Sequence, residues 1–428
     1  MKKLLAITLA LSMLAVTAIT ANAETTQIEG EKSFTLWHGW TGETDGNAIS
    51  FRQVLDSFAE DNPNISLDIT GNGGTDYNSK LKIAFAANEG PDLFEIQGLG
   101  KMEDLVKSGS IRPLDDLIEK YGINDQILPG SLNSFTFDGH VYGLPTITGL
   151  AVLYCNTELL EEAGVGIPET WDDLLNAIDA LNAKGITPFM YAGKDLWPVM
   201  DYYDILAIRT TGATNSFNAL LSRDSFEQEG FLKAAELVKE LTDRGAYNPD
   251  DLSLSWDEGV QKFAAGGAAM LFNGTWVTAT VDADDCPIKG KVQIAKFPGI
   301  GGEYDNDNFG GAFETFCISS NVPDEDVEAA FQTIAYLCKH MSDTSLVNGN
   351  GLPAWKSDNV DTSSLAELIQ QQVAVLNSGS DMCLWWDTTL GGEAADIHTS
   401  LVLQLVAGKI SPEEYCAQMQ SQIAALAN

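Results

Sequence analysis

The chain is poor in positive charge: 24 Lys and Arg stand against 61 Asp and Glu in 428 residues, a formal net charge of −37. A surface of that sign repels nucleic acid and anionic lipid, and it admits an anionic ligand only where a local cationic pocket exists. No cluster of Lys or Arg builds one. A neutral ligand is therefore expected, and no nucleic acid. Histidine is also scarce. His38, His140, His340 and His398 stand far apart without H-x-x-x-H or H-E-x-x-H spacing, so no metal ligand is assigned. The six cysteines (155, 286, 317, 338, 383 and 416) show no C-x-x-C pair. An even count in an exported chain allows disulfides, yet Cys155, Cys317 and Cys338 fall in buried-strand or helix patterns that suit free thiols equally well.

Enzyme signatures are missing as well. There is no G-x-S-x-G elbow, no G-x-x-x-x-G-K-[ST] loop, and no G-x-G-x-x-G after a strand. Acidic pairs abound, but among 61 carboxylates a pair occurs anywhere, so no acid/base couple and no cofactor are assigned. Asp305-Asn306-Asp307-Asn308-Phe309-Gly310 resembles the start of a calcium loop. Phe309 and Phe316 stand where oxygen ligands are required, which counts against it.

What is present begins with the N-terminus. Lys2 and Lys3 precede an apolar stretch from Leu4 to Ile19, and Ala21-Asn22-Ala23 offers a small-residue cleavage site. This pattern predicts a secretory signal peptide over residues 1–23 and a protein working outside the cytoplasm. Beyond it no run of about 18 apolar residues suggests a membrane span.

Strand and helix patterns then alternate. Phe34 to His38 reads as a strand; Phe51, Val54, Leu55 and Phe58 mark a helix face; Ile65 to Ile69 is a strand of period two. Tyr77, Leu81, Ala84 and Phe85 form a second helix face before Gly90-Pro91, and Asp92 to Ile96 is a third strand. That alternation predicts a parallel-type sheet wound with helices, whose ligands sit beyond the carboxyl ends of the strands. The run Gly149 to Cys155 is too apolar for a half-exposed strand and reads as one buried on both faces. Thr170 and Asp173 predict a capping box, and Ser411, Pro412 and Glu414 another. Residues 298–311 and 348–353 read as connections between two lobes. The expected division is lobe 1 at 24–147 plus 306–350 and lobe 2 at 148–305 plus 351–428, with several crossings that imply a hinge.

Tryptophan recurs beside amides and carboxylates in loops: Trp37-His38-Gly39-Trp40, Asp195-Leu196-Trp197, Asn273-Gly274-Thr275-Trp276 and Trp385-Trp386-Asp387. Indole faces pack on the C–H faces of sugar rings while Asp, Asn, Gln and Glu bond hydroxyls. Trp171 and Trp256 open helices and are expected to be packing residues, as is Trp37 within its strand.

Several segments together resemble the carbohydrate-binding solute-binding proteins of ABC importers, the maltose-binding-protein-like group. They are Gly90-Pro91-Asp92-Leu93-Phe94, Tyr142-Gly143-Leu144-Pro145, Leu153-Tyr154-Cys155-Asn156, Pro168-Glu169-Thr170-Trp171-Asp172-Asp173-Leu174, Phe263 to Met270 with Asn273-Gly274-Thr275-Trp276, and Ala407 to Glu414. The resemblance covers essentially the whole mature chain. It implies a two-lobed periplasmic-binding-protein-like α/β fold that closes on a sugar, a permease partner, a monomer, and no enzymatic activity. It also implies ligand contacts from His38, Trp40, Thr41, Gln97, Trp197, Asn273, Trp276, Trp385, Trp386 and Asp387, with Asp76 and Glu314 added from their place beside glycine-rich strand ends. A polyol or glycerophosphodiester is the alternative ligand, and a secreted glycan-active enzyme the more distant one. Two departures stand out. No lipobox cysteine occurs at the cleavage site, which favours a diffusible periplasmic or extracellular protein. Gly149 also occupies the place where the maltose-binding type carries a sugar-binding Glu.

Overall fold

The computed structural model describes residues 28–43, 45–73, 77–357, 360–361 and 364–426. The expected signal peptide and Asp76 lie outside the described residues. Among those described, no helix is long and apolar enough to cross a membrane.

The first sheet contains β1 (Lys32–His38), β2 (Ile65–Gly71), β3 (Leu93–Gln97), β4 (Leu144–Pro145) and β9 (Glu314–Ile318), in the order β2-β1-β3-β9-β4. The first three are parallel, as their strand–helix alternation predicts, whereas β9 and β4 join antiparallel. Helix α1 (Gly46–Asp61) buries Phe51, Val54 and Phe58 on this sheet at helical spacing. The long helix α8 (Val327–Asn348) packs beside it, so Leu36, Phe51, Phe316, Ile334 and Leu337 share one core.

The second sheet is centred on β5 (Ile147–Asn156). Its first half pairs with β8 (Asn308–Ala312) and β10 (Leu352–Pro353), and its second half with β6 (Met270–Gly274) and β7 (Val292–Ala295). Neighbours on both edges and helices on both faces leave Leu150, Val152, Leu153, Tyr154 and Cys155 fully buried, which is why this run carries almost no polar side chain. All four pairings of β5 are antiparallel; only β11 (Met382–Cys383) adds a parallel partner, to β8. The sheets are therefore mixed. The parallel-type expectation holds for β1 to β3, where helices separate successive strands.

The segment after residue 306 departs from the expected division. Asn308–Ala312 reads as a connection by composition, yet it is a strand of the second sheet, so the chain returns to the first sheet between Ala312 and Glu314. Likewise Ala354 and Trp355 pack in the first core, and Trp355 Nε1 donates to the Pro145 carbonyl at 2.6 Å. The calcium-like residues are used in building loops. Asp305 accepts from the amides of Ile300, Gly301 and Gly302, and Asp307 from that of Ala213. All six cysteines are free thiols, five of them buried.

Candidate functional site

Between the two sheets lies a cleft of about 640 Å³. Its first wall grows from the carboxyl ends of β1 and β3, where parallel strands stop and loops open. Trp40 and Thr41 follow β1, and Gln97 ends β3. In the antiparallel register Glu314 faces Gln97 and Phe316 faces Glu95, which puts Glu95, Gln97 and Glu314 on one face of the sheet. Glu314 accepts from Trp40 Nε1 at 3.3 Å and from Asn47 Nδ2 at 3.4 Å, while Glu95 accepts from the Gly39 amide at 3.1 Å. Asp45 caps α1 by accepting from the Asn47 amide.

These carboxyls are costly to ionise. Burial raises Glu95 to about 7 and holds Glu314 well above the ordinary range, the neighbouring Glu95 adding to the second shift. Burial also raises Asp45 to about 6, and Asp257 from the opposite lobe pushes the same way. The two walls thus sense one another's charge.

The second wall is aromatic. Trp197 opens helix α5 (Trp197–Thr211) after Leu196, which sits at φ 66°, a strained position for a branched side chain. Trp256 opens α7 (Trp256–Ala264) behind the capping box of Ser255 and Glu258. Asp195 joins the two loops by accepting from the Trp256 amide at 2.7 Å. Trp276 follows β6, and Trp385 precedes helix α10 (Trp386–Leu390). Ring centroids run from Trp256 to Trp197 at 6.0 Å, to Trp276 at 6.1 Å and to Trp385 at 5.4 Å. Gly149 makes this floor possible. A Cβ there would come within 2.6 Å of Phe313, 2.9 Å of Trp385 and 3.2 Å of Trp276. Aromatic rings fill the space that a longer side chain at 149 would need.

At one end the lobes touch. Lys101 pairs with Asp387 at 3.0 Å, and the backbone of Gly100 packs so closely on Leu390 and Gly391 that a Cβ would lie 2.5 Å from the Leu390 carbonyl carbon.

Of the residues expected from sequence, Trp40, Thr41, Gln97, Trp197, Trp276, Glu314, Trp385 and Asp387 line the cleft. His38, Asn273 and Trp386 do not. The His38 ring packs on Phe51 at 4.9 Å and against Trp40 at 6.4 Å without lining the cleft, and burial lowers its pKa to about 4. Asn273 is buried in β6, with its side-chain oxygen accepting from the Gly274 amide. Trp386 is wholly buried among Tyr203, Phe231 and His398. Trp256 is the reverse case: expected in a core, it stands half-buried on the cleft wall. Trp171 does serve packing, donating to Glu240 at 3.1 Å.

Sequence reasoning passed over Asp45, Glu95 and Asp257, and noted Asp195 only as the carboxylate beside Trp197. Glu95 did leave a signal, as the one charge inside an otherwise apolar buried strand. Among the described lining residues the cations are Lys101 and Lys194, and Lys101 is held by Asp387. The arginine-lined pocket that a phosphate-bearing ligand would call for is not built among the described residues.

Comparison with known proteins agrees with this architecture. The family described as bacterial extracellular solute-binding protein matches residues 44–338. An ABC transporter extracellular-binding protein of Pyrococcus horikoshii is 24% identical over 294 residues, 67% of this chain and 65% of its own length. The multiple sugar-binding protein of Streptococcus mutans is 25% identical over 259 residues, 58% of this chain and 59% of its own. The melibiose/raffinose/stachyose-binding protein MelE of Bacillus subtilis is 24% identical over 333 residues, 76% and 74%. The match thus spans less than two thirds of the first two relatives' lengths. Solved structures align more fully. One from work on xylan utilization by Caldanaerobius polysaccharolyticus is 34% identical with a TM-score of 0.86, covering 91% of this chain and 99% of that one. A chitin oligosaccharide binding protein is 28% identical with a TM-score of 0.84, covering 92% and 98%.

Proposed function

The chain belongs to the bacterial extracellular solute-binding protein family, and from that premise we propose that it captures a neutral sugar or oligosaccharide in the cleft and delivers it to an ABC permease. The observation that carries the reading is the pairing of an aromatic wall (Trp197, Trp256, Trp276) with a carboxylate and amide wall (Asp45, Glu95, Gln97, Glu314). Indole faces take the C–H faces of sugars, and the opposite wall takes their hydroxyls. Relatives named for sugar binding support the same reading.

In this reading the protein is exported by its signal peptide, works as a diffusible monomer, and binds without turning over its ligand. Closure rotates the lobes about the crossings at Thr146, Phe313 and Gly351, bringing the two walls onto the ligand. Tryptophan fluorescence titrated with a panel of mono- and oligosaccharides tests the proposal, with calorimetry as the second readout. A saturable response to a sugar, recovered unchanged by chromatography, is expected. Silence across the panel in both measurements would falsify the carbohydrate reading.

A further inference from the structure

The first wall of the cleft holds a pair of carboxyls that no cation reaches. Glu314 stands opposite Gln97 in the antiparallel register, so Glu95 is its diagonal neighbour on the same sheet face. That spacing of roughly 7–8 Å is one that long side chains bridge. Both are buried, Glu95 4% and Glu314 6% exposed. Their hydrogen bonds come from neutral donors: Trp40 and Asn47 for Glu314, the Gly39 amide for Glu95. Among the described residues neither carboxyl joins an ion pair. Of the lysines that line the cleft, Lys101 is held by Asp387, and Lys194 belongs to the loop of the opposite wall that carries Asp195 and Trp197. Two adjacent buried carboxyls without a counter-charge cannot both stay ionised at low cost.

The other titratable groups around the pair do not relieve that cost. Tyr77 and Cys317, on the neighbouring helix and strand, are held neutral by burial, as is His38 at the end of β1, whose pKa falls to about 4. Beyond burial, Asp45 at the cap of α1 pushes Glu314 up, and Asp257 of the opposite lobe pushes Asp45 up. Arg52 pulls Asp45 the other way, as the smallest of the influences on it. Glu95, Glu314, Asp45 and Asp257 thus form a chain of like charges that crosses the cleft. In the closure proposed above, water leaves and Asp45 draws nearer to Asp257, and both changes favour the neutral acids. A neutral acid also gains an O–H donor for the ring and bridging oxygens of a sugar, which only accept.

We propose that the cleft takes up a proton together with its sugar: the Glu95–Glu314 pair receives it from solvent onto a carboxylate oxygen, holds it while the lobes are closed, and returns it on release. The proposal rests on the carbohydrate reading above and adds control by pH to the same site. Glu95 is the group that changes state near neutral pH, since its pKa lies at about 7, whereas Glu314 is held well above the ordinary carboxylate range. A bound form that keeps the proton binds best below pH 7 and loses affinity as pH rises through that value.

Calorimetry on the mature protein with xylotriose, chitotriose and raffinose, or with any sugar that saturates in the panel above, tests it. Titrations at pH 7 in phosphate and in Tris, buffers of small and large ionisation enthalpy, give the protons exchanged from the difference in binding heat. Uptake of about half a proton per sugar is expected, with affinity roughly tenfold weaker at pH 8 than at pH 6. Glu95→Gln, which cannot titrate, should abolish the uptake and flatten the pH dependence, whatever its own affinity. The buffer comparison needs no variant, and thermal denaturation at both pH values separates weakened binding from unfolding. Equal binding heat in the two buffers, release of a proton in place of uptake, or uptake that survives in Glu95→Gln overturns the proposal while the carbohydrate function stands. Silence from the whole panel overturns both.

Discussion

Gly149 shows how a missing side chain can shape a site. Its Cβ position is taken by Phe313, Trp385 and Trp276, so Gly149→Ala must displace rings packed at the cleft floor. Overpacking of this kind costs about 1–3 kcal/mol, and it should weaken sugar binding as well by moving Trp276. Urea denaturation and fluorescence titration of the variant check both effects; unchanged values would mean that the floor is soft. Glu95 governs a pH response. Its folded pKa of about 7 lies above its ordinary 4.5, so the folded state binds more protons between those values. Its favourable contribution is full below 4.5 and is lost as pH rises through 7, and Glu314 acts in the same direction. His38 works oppositely, since its value falls from 6.5 to about 4 and stability drains as pH falls through that window. Glu95→Gln should therefore lose less stability than the parent between pH 5 and pH 8, as read by urea midpoints at the two pH values. Much of the cleft lining was legible at this scale because its indoles and carboxylates lie in loops at strand and helix ends. His38 and Trp386 misled because each stands close in sequence to a lining residue, yet His38 packs with Trp40 on Phe51 and Trp386 packs against Tyr203 in the core. Nothing local reveals which residue faces the cleft.

At the scale of elements, the caps hold the aromatic wall of the cleft in place. Ser255 accepts from the Glu258 amide and Glu258 returns the bond to the Ser255 amide, fixing the start of α7 where Trp256 and Asp257 enter the cleft. Ser255→Ala should cost about 1 kcal/mol of stability and lower ligand affinity through a frayed first turn. Ser411→Ala, at a capping box remote from the cleft, should cost similar stability with affinity unchanged. A loss of affinity in both variants would trace the effect to global loosening. The helices of the first lobe and the buried strand β5 could be read directly, since periodicities of 3.6 and unbroken apolar runs are local properties. The strand Asn308–Ala312 could not. Its sequence is rich in Gly and Asn, and its extended form is imposed by pairing with Thr148 to Leu150, far away along the chain. The helix start at Trp256 was legible as a helix, but which wall its indole would line depends on how two lobes meet.

For the molecule as a whole, Gly100 packs closely on the backbone of Leu390 and Gly391 where the lobes touch at one end of the cleft. A methyl group at 100 would meet backbone 2.5 Å away, which cannot rotate aside as a side chain can. Gly100→Ala should hold the lobes apart, giving a larger radius of gyration by small-angle scattering with sugar present and an affinity lowered roughly tenfold if the shift in closure costs about 1.4 kcal/mol. An unaltered radius with unaltered affinity would show that this end of the cleft does not take part in closure. The two-lobed plan was legible from resemblance and from the apolar strand at 149–155. The points of crossing were less so, because turn-rich composition marks loops and says nothing of which sheet follows them.

The threading of the chain through both sheets carries a consequence for biogenesis. Strand β9, the neighbour of β3, and helix α8, which completes the first core, come only after β5 to β8 of the second sheet. A chain emerging N-terminus first from a ribosome or a secretion channel therefore cannot finish its first lobe until about residue 355 is free. Until then Leu36, Phe51 and Leu93 lack their partners Phe316, Ile334 and Leu337, and the early segment cannot close its core. The same crossings about which closure is proposed thus postpone folding until most of the chain has been delivered.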